Sequence, residues 1–329
     1  MTHPYAALTP DVVLDACAAL GLRPDGRLLS LNSYENRVYQ VGLEDGSNTI
    51  GTEPLPSFIV AKFYRPGRWS DEQIAEEHEF AAELAAHEIP VVAPIHVSSY
   101  GGFRIAVYPR RGGRTPELEN PDVLTWIGRF IGRIHARGAT KPFRHREALT
   151  PESFGSAPRQ ALLESGFIPA DLLEPWKAVT EQALQAVFRC YEPLKNLKTI
   201  RLHGDCHAGN ILWTDDGPHF VDLDDSRMGP AMQDLWMLLS GDRAGMTRGL
   251  SDVLAGYEQF MEFDRRELAL LEPLRTLRLI HYSAWIARRW DDPAFPAAFP
   301  WFNTQRYWQD RILELREQIA LMDEAPLNV

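Results

Sequence analysis

Residues 202–213 read Leu202-His203-Gly204-Asp205-Cys206-His207-Ala208-Gly209-Asn210-Ile211-Leu212-Trp213, and the chain continues through Thr214-Asp215-Asp216-Gly217 to Phe220-Val221-Asp222-Leu223-Asp224-Asp225. An Asp-Gly pair between two apolar runs is a strong hairpin signal. A turn centred near Asp216 sets Asn210 opposite Asp222 at the open end of the hairpin, with Asp205 on the loop leading in. An amide beside a carboxylate suits a hard divalent cation such as Mg²⁺, which takes oxygen ligands and keeps some of its water. A further carboxylate not committed to the cation can accept the proton of an attacking hydroxyl. The spacing Asp205-x-x-x-x-Asn210 is that of the catalytic loop in phosphoryl-transfer enzymes. Asp215 and Asp216 read as ordinary turn residues. Gly204 and Gly209 argue against a helix that would align His203 and His207 on a transition metal, so these histidines read as loop-shaping residues. Cys206 reads as a packed thiol.

Phosphoryl transfer also needs a cation for the nucleotide phosphates, usually a strand lysine paired with a helix glutamate. The 34 bases of the chain divide into 29 Arg and only five Lys, at positions 62, 141, 177, 195 and 198. Lys62 alone is embedded in an apolar strand-like run, Phe58-Ile59-Val60-Ala61-Lys62-Phe63-Tyr64, where alternation places Phe58, Val60 and Lys62 on one face. Its partner belongs on the acidic, alanine-rich helix expected over 71–87, where Glu76, Glu77, Glu79 and Glu83 compete. Glu77 is preferred because Phe80 and Leu84 flank it on the packed side. Ahead of Lys62, Asn32-Ser33-Tyr34-Glu35-Asn36-Arg37 stands where a phosphate loop belongs, but it carries no glycine. Asp234 either caps the helix that follows it or anchors the catalytic loop.

Outward from these motifs, the 329 residues suggest two lobes at roughly 150 residues per domain. A helix opens at Thr9-Pro10 and stops at Gly21, with strands expected within 29–41, 58–64, 91–97 and 103–108. After Pro109–Pro121 the pattern turns helical: 121–138, 170–190, 230–239, 250–261, 264–290 broken at Pro273, and 303–323. Only the β-like stretch 199–223 interrupts it. The expected division is therefore α+β: a β-rich lobe over 1–108, a linker over 109–120, and a helical lobe over 121–329. That second lobe carries the catalytic loop 203–210 and the metal segment 210–225. A formal charge of −11 argues against a general nucleic-acid or acidic-membrane binder. Three dispersed cysteines and no run of eighteen apolar residues point to a reducing cytoplasm and away from membrane spanning.

The segment His-Gly-Asp-x-His-x-Gly-Asn with its downstream Val-Asp-x-Asp resembles the aminoglycoside phosphotransferase and choline kinase group of protein-kinase-like folds. Residues 31–40, 62–69, 202–213, 234–239 and 288–296 resemble, within that group, the bacterial stress-response kinases, and the likeness spans nearly the whole chain. The resemblance implies a bilobal fold and a cytoplasmic, monomeric, ATP- and Mg²⁺-dependent kinase acting on Ser/Thr of proteins in stress survival. By position it implies Asp205 as proton acceptor, Asn210 and Asp222 as metal ligands, Ser33 as an ATP contact, and Lys62 with Glu77 at the phosphates. There are departures from ordinary protein kinases. Asp222-Leu223-Asp224 stands in place of Asp-Phe-Gly, His207 replaces the lysine two places after the catalytic Asp, and about eight residues after Asp222 leave no room for a long activation loop. A small-molecule kinase of the same fold is the principal alternative. A haloacid-dehalogenase-like phosphatase, using Asp222-x-Asp224 with Asp291-Asp292, and an inactive kinase-like binding module are further ones.

Overall fold

The computed structural model describes residues 3–44, 49–50, 53–194 and 196–329. The chain divides into two units, Met1–Arg114 with Leu212–Asp224, and Thr115–Ile211 with Asp225–Val329. One boundary falls between Arg114 and Thr115, and the hairpin within Leu212–Asp224 belongs with the first unit. Backbone pairing explains this. Arg114 and Trp213 exchange hydrogen bonds at 2.9 and 2.7 Å, and Phe220 pairs with Pro90 and Val92 at 2.7 and 2.9 Å. The segment 210–225 is thereby divided between the units.

In the first unit, helix α1 (Pro10–Ala19) starts where Thr9 accepts a hydrogen bond from the Val12 amide, and Gly21 stops it with a φ of +79°. Five antiparallel strands follow: β1 (Pro24–Ser30), β2 (Arg37–Leu43), β3 (Phe58–Phe63), β4 (His96–Tyr100) and β5 (Phe103–Pro109), in the order β1-β2-β3-β5-β4. Alternation along β3 sends Ile59, Ala61 and Phe63 into a core with Val13, Cys17, Val41, Phe103, Ile105 and Val107. Lys62 is left on the opposite face. The strand expected over 91–97 starts only at His96, because Pro90 and Pro94 cannot donate to a ladder, and Val91 makes just an isolated bridge to Phe220. Helix α2 (Asp71–Ala86) opens with a capping box between Ser70 and Gln73.

In the second unit, α3 (Pro121–Gly138) is capped by the Asn120 side chain and occupies the span its pattern predicts. Beyond it come α4 (Ala157–Glu164), α5 (Leu173–Tyr191), β6 (Ile200–Leu202) and β7 (Arg227–Gly229), with β6 and β7 paired antiparallel. Helices α6 (Met232–Trp236), α7 (Arg243–Tyr257), α8 (Leu271–Ala287), α9 (Ala294–Ala298) and α10 (Gln305–Met322) complete it. Helices α3 and α7 meet backbone to backbone: a Cβ on Gly128 would lie 2.0 Å from the Val253 carbonyl oxygen, and one on Gly256 1.9 Å from that of Thr125. Several expected spans shift. Asp242 caps α7 seven residues earlier than predicted, α6 is one short turn, and α4 and α9 were not anticipated. The long segment 264–290 breaks at Leu271, where a 3₁₀ turn (Arg265–Leu270) gives way to α8. Pro273 sits in the first turn of that helix, where its missing N–H is no loss. Among the described residues no helix is long and apolar enough to cross a membrane.

Candidate active site

The first unit builds a buried charge cluster around Lys62, which is only 5% exposed. This excludes a solvated edge lysine. The Lys62 Nζ lies 3.3 Å from Glu77 Oε1, 3.3 Å from Asp222 Oδ1 and 3.0 Å from Asp224 Oδ1. Of the four competing glutamates, Glu77 is the one that Lys62 meets. Burial by itself would discharge the lysine, but Asp224, Glu77 and Asp222 together hold its pKa well above the ordinary value. Tyr64 fixes the pair from the side: its hydroxyl donates to Glu77 Oε1 at 3.0 Å, and its ring lies 4.6 Å from the ammonium.

The two aspartates of this cluster differ in what they leave open. Asp224 is 3% exposed and is held by both Lys62 and Arg68. Asp222 has a half-exposed side chain and commits one oxygen to Lys62. Its backbone φ of +60° makes it one of two non-glycine residues in the left-handed region among the described residues. Such a conformation is uncommon outside glycine and clusters at ligand-holding positions. Ser33 lies on the loop between β1 and β2, half-buried, with no side-chain hydrogen bond among the described residues. That loop is tied down from beneath: Asn36 Oδ1 accepts from the Arg65 amide at 3.1 Å, and Glu35 pairs with Arg65 at 2.9 Å.

The second unit holds the loop 203–210. Asp234 accepts hydrogen bonds from the backbone N–H groups of His203 (2.8 Å) and Gly204 (2.9 Å), and it also meets His135 Nε2 at 2.9 Å. Asp234 is therefore the loop's anchor. Gly204 has a φ of +87°, and a Cβ there would sit 2.1 Å from the Asp225 carbonyl oxygen, so only glycine fits. His203 is buried, and its Nδ1 faces the Asp205 amide at 3.4 Å; the His207 Nδ1 accepts from the Gly209 amide at 2.9 Å and caps the turn Ala208–Asn210. Both histidines shape the loop. Cys206 is buried, as a packed thiol should be.

Asp205 faces three donors. Its Oδ1 accepts from Arg278 Nη1 at 2.8 Å, its Oδ2 lies 3.5 Å from His207 Nε2, and Asn210 Nδ2 donates to its carbonyl oxygen at 3.0 Å. Burial alone would raise the Asp205 carboxyl, but the His207 contact and the Arg278 charge override it and hold it well below the usual carboxylate range. The turning of Asn210 toward Asp205 leaves the amide oxygen as its open acceptor. The hairpin strands cover Ile211–Thr214 and Gly217–Phe220, so Asn210 and Asp222 both lie outside the strands. Among the described residues no three His, Cys, Asp or Glu side chains converge as a metal site. In the first unit Asp222 offers a half-exposed carboxylate, and in the second Asn210 offers an amide oxygen; each is an oxygen donor of the kind a hard divalent cation takes.

Comparison with known proteins gives the family. A model described as the phosphotransferase enzyme family matches residues 27–271. The chain belongs to this family. "Stress response kinase A" of Salmonella choleraesuis (strain SC-B67) is 44% identical over 330 residues, covering 99% of this chain and 97% of that protein. "Serine/threonine protein kinase RdoA" of Salmonella typhimurium (strain LT2) is 43% identical over the same shares of each chain. Among solved structures, the amicoumacin kinase hAmiN in complex with AMP-PNP, Ca²⁺ and Ami is similar with a TM-score of 0.71 at 20% identity, covering 97% of this chain and 94% of that one. The bilobal α+β, kinase-like class expected from the sequence is the fold of this phosphotransferase.

The phosphatase alternative is overturned. In this phosphotransferase Asp222 follows an antiparallel hairpin, and the buried Asp292 accepts from the Ala294 amide at 3.1 Å in the turn before α9. Sequence reading did not single out Arg278 or Arg68. Arg278 lies 73 residues from Asp205, and nothing in its local pattern reports that contact. Arg68 stood in plain view, in the stretch 62–69 that carries the family likeness.

Proposed function

We propose that this phosphotransferase is an ATP- and Mg²⁺-dependent kinase that phosphorylates Ser/Thr hydroxyls of proteins, in the cytoplasm and as part of a stress response. Lys62, oriented by Glu77, clamps the nucleotide phosphates, with Ser33 contributing from its loop. Asp222 and Asn210 supply oxygen ligands to Mg²⁺, which when bound offsets the charge of the phosphates. Asp205 orients the acceptor hydroxyl. As the new O–P bond forms and the bond from the γ-phosphorus to the bridging oxygen of ADP breaks, the hydroxyl proton passes to the Asp205 carboxylate. Catalysis is then mostly positioning and charge stabilisation. The observation that carries this reading is the Lys62–Glu77–Asp222 cluster: a fully buried ammonium kept charged by carboxylates, one of which leaves an oxygen open. The near-full-length likeness to proteins named stress response kinase A and serine/threonine protein kinase RdoA supports the protein acceptor.

The test is transfer of ³²P from labelled ATP into a cell lysate, followed by acid hydrolysis of the labelled proteins. Phosphoserine and phosphothreonine are the expected products. Label that enters only small solutes would instead support a small-molecule kinase, a class the fold also hosts.

A further inference from the structure

A groove of about 520 Å³ opens in the second unit among α6, α8 and α10, lined by Trp236, Arg275, Arg278, Tyr282, Arg311 and the acids Glu314 and Glu317. Arg278 belongs both to this groove and to the catalytic loop, through its 2.8 Å hydrogen bond to Asp205. The groove therefore leads to the carboxylate that would receive the acceptor hydroxyl. Its charges are not equally available. Arg311 is bound to Glu314, and Arg275 is partly engaged by Glu272 at 3.5 Å. Arg278 has five N–H donors. Among the described residues one of them is committed, to Asp205, and its side chain is 38% exposed. Arg275 lies three residues before Arg278 on α8, a separation that puts both guanidinium groups on one side of the helix.

We propose that Arg278 is a specificity-determining residue that selects an acceptor carrying a carboxylate next to its hydroxyl, as in a serine flanked by an acidic side chain, and rejects cationic amino alcohols. The inference rests on the phosphotransfer reading above. The physical argument is a balance of charge at one place. A substrate ammonium is drawn to an open, unpaired catalytic carboxylate. Here that carboxylate already carries the Arg278 guanidinium on one oxygen, so an ammonium would have to compete with it for that oxygen. A carboxylate finds the uncommitted N–H groups of Arg278 instead, in the fork geometry guanidinium offers. Once a carboxylate is seated there, the hydroxyl beside it is held near Asp205. Trp236 and Tyr282 supply apolar walls for the rest of the acceptor.

The experiment uses the full chain with Mg²⁺ and ATP. The acceptors are three peptides that differ only beside a single serine, as Glu, Ala or Lys, with ethanolamine and a free hydroxy acid as small-molecule arms. The wild type should show a kcat/KM about tenfold higher on the Glu peptide than on the Lys peptide, the scale of one charge-assisted hydrogen bond. Arg278→Gln should bring that ratio to within about twofold, and Arg278→Lys should keep part of it, since lysine retains the charge and loses the fork. Preference for the free hydroxy acid over the Glu peptide supports the charge rule and moves its source to a small molecule. A wild-type ratio of one or below, a ratio unmoved in Arg278→Gln, or preferred labelling of ethanolamine overturns the proposal. Labelling of no acceptor also overturns it. ATP turnover that depends on Asp205 then tells whether the phosphotransfer reading survives.

Discussion

Asp205 is a carboxylate that three neighbours keep ionised. Its pKa is depressed in the folded protein, so the stability its contacts contribute is present above the unfolded value and is lost as pH falls through the folded one. The acid limb of activity should therefore lie below the ordinary carboxylate range. In Arg278→Gln it should move to higher pH, while His203 and His207 remain to hold part of the shift; kcat measured against pH reads this directly. Lys62 makes a different prediction. Lys62→Met leaves Glu77, Asp222 and Asp224 facing one another without their ammonium. Breaking a buried pair in this way costs about 3–5 kcal/mol, so denaturant unfolding should show a large loss of stability along with weakened ATP binding. Asp205, Asn210, Asp222 and Lys62 are the residues the sequence itself singles out, because each sits in a short stretch whose spacing suggests its chemistry. Arg278 is not among them, because its meaning comes from tertiary packing alone.

At the scale of elements, the 3₁₀ turn before α8 carries a buried switchable group. Burial pushes the Glu267 carboxyl up to about 8, with the hydrogen bond from the Met232 amide (2.7 Å) opposing only part of that rise. A raised carboxyl binds its proton more tightly in the folded state. It therefore contributes stability below the unfolded value near 4.5, and that stability is lost as pH rises through about 8. Glu267→Gln keeps an acceptor for Met232 without the charge. It should raise Tm by a few degrees at pH 8 and change it little at pH 5, as followed by calorimetry. The α3–α7 contact predicts the opposite kind of change. Gly256→Val drives a side chain into the Thr125 carbonyl and should destabilise by at least about 1–3 kcal/mol, read from the denaturant midpoint. Element reading succeeded where the ends are marked, as at Asn120-Pro121 for α3. It failed for α7, whose first turn, Arg243-Ala244-Gly245-Met246, has little apolar periodicity and takes its start from the Asp242 cap.

Over the whole molecule, the two-lobed layout was visible as a change from strand-like to helical pattern after residue 109. The return of Leu212–Asp224 to the first unit was not visible, because sequence order does not disclose which backbone a hairpin will pair with. The net charge of −11 also reads differently with the fold in hand. An acidic protein can hold a polyphosphate when the charges that matter are local, a buried lysine and carboxylates open to a cation. Binding to the folded state alone should then stabilise the chain by mass action. Mg²⁺ with ATP should raise Tm by a few degrees, ATP with EDTA should raise it much less, and Asp222→Ala should abolish the difference. The central claim is narrower: the Asp205 carboxylate delivers an acceptor hydroxyl to the γ-phosphate. Its most direct measurement is ³²P transfer from ATP to protein acceptors by wild type and Asp205→Asn side by side, with ATP binding followed in parallel. The account predicts that transfer by the variant falls roughly 10²- to 10⁴-fold while ATP binding is retained. Wild-type transfer by Asp205→Asn with ATP bound would contradict it.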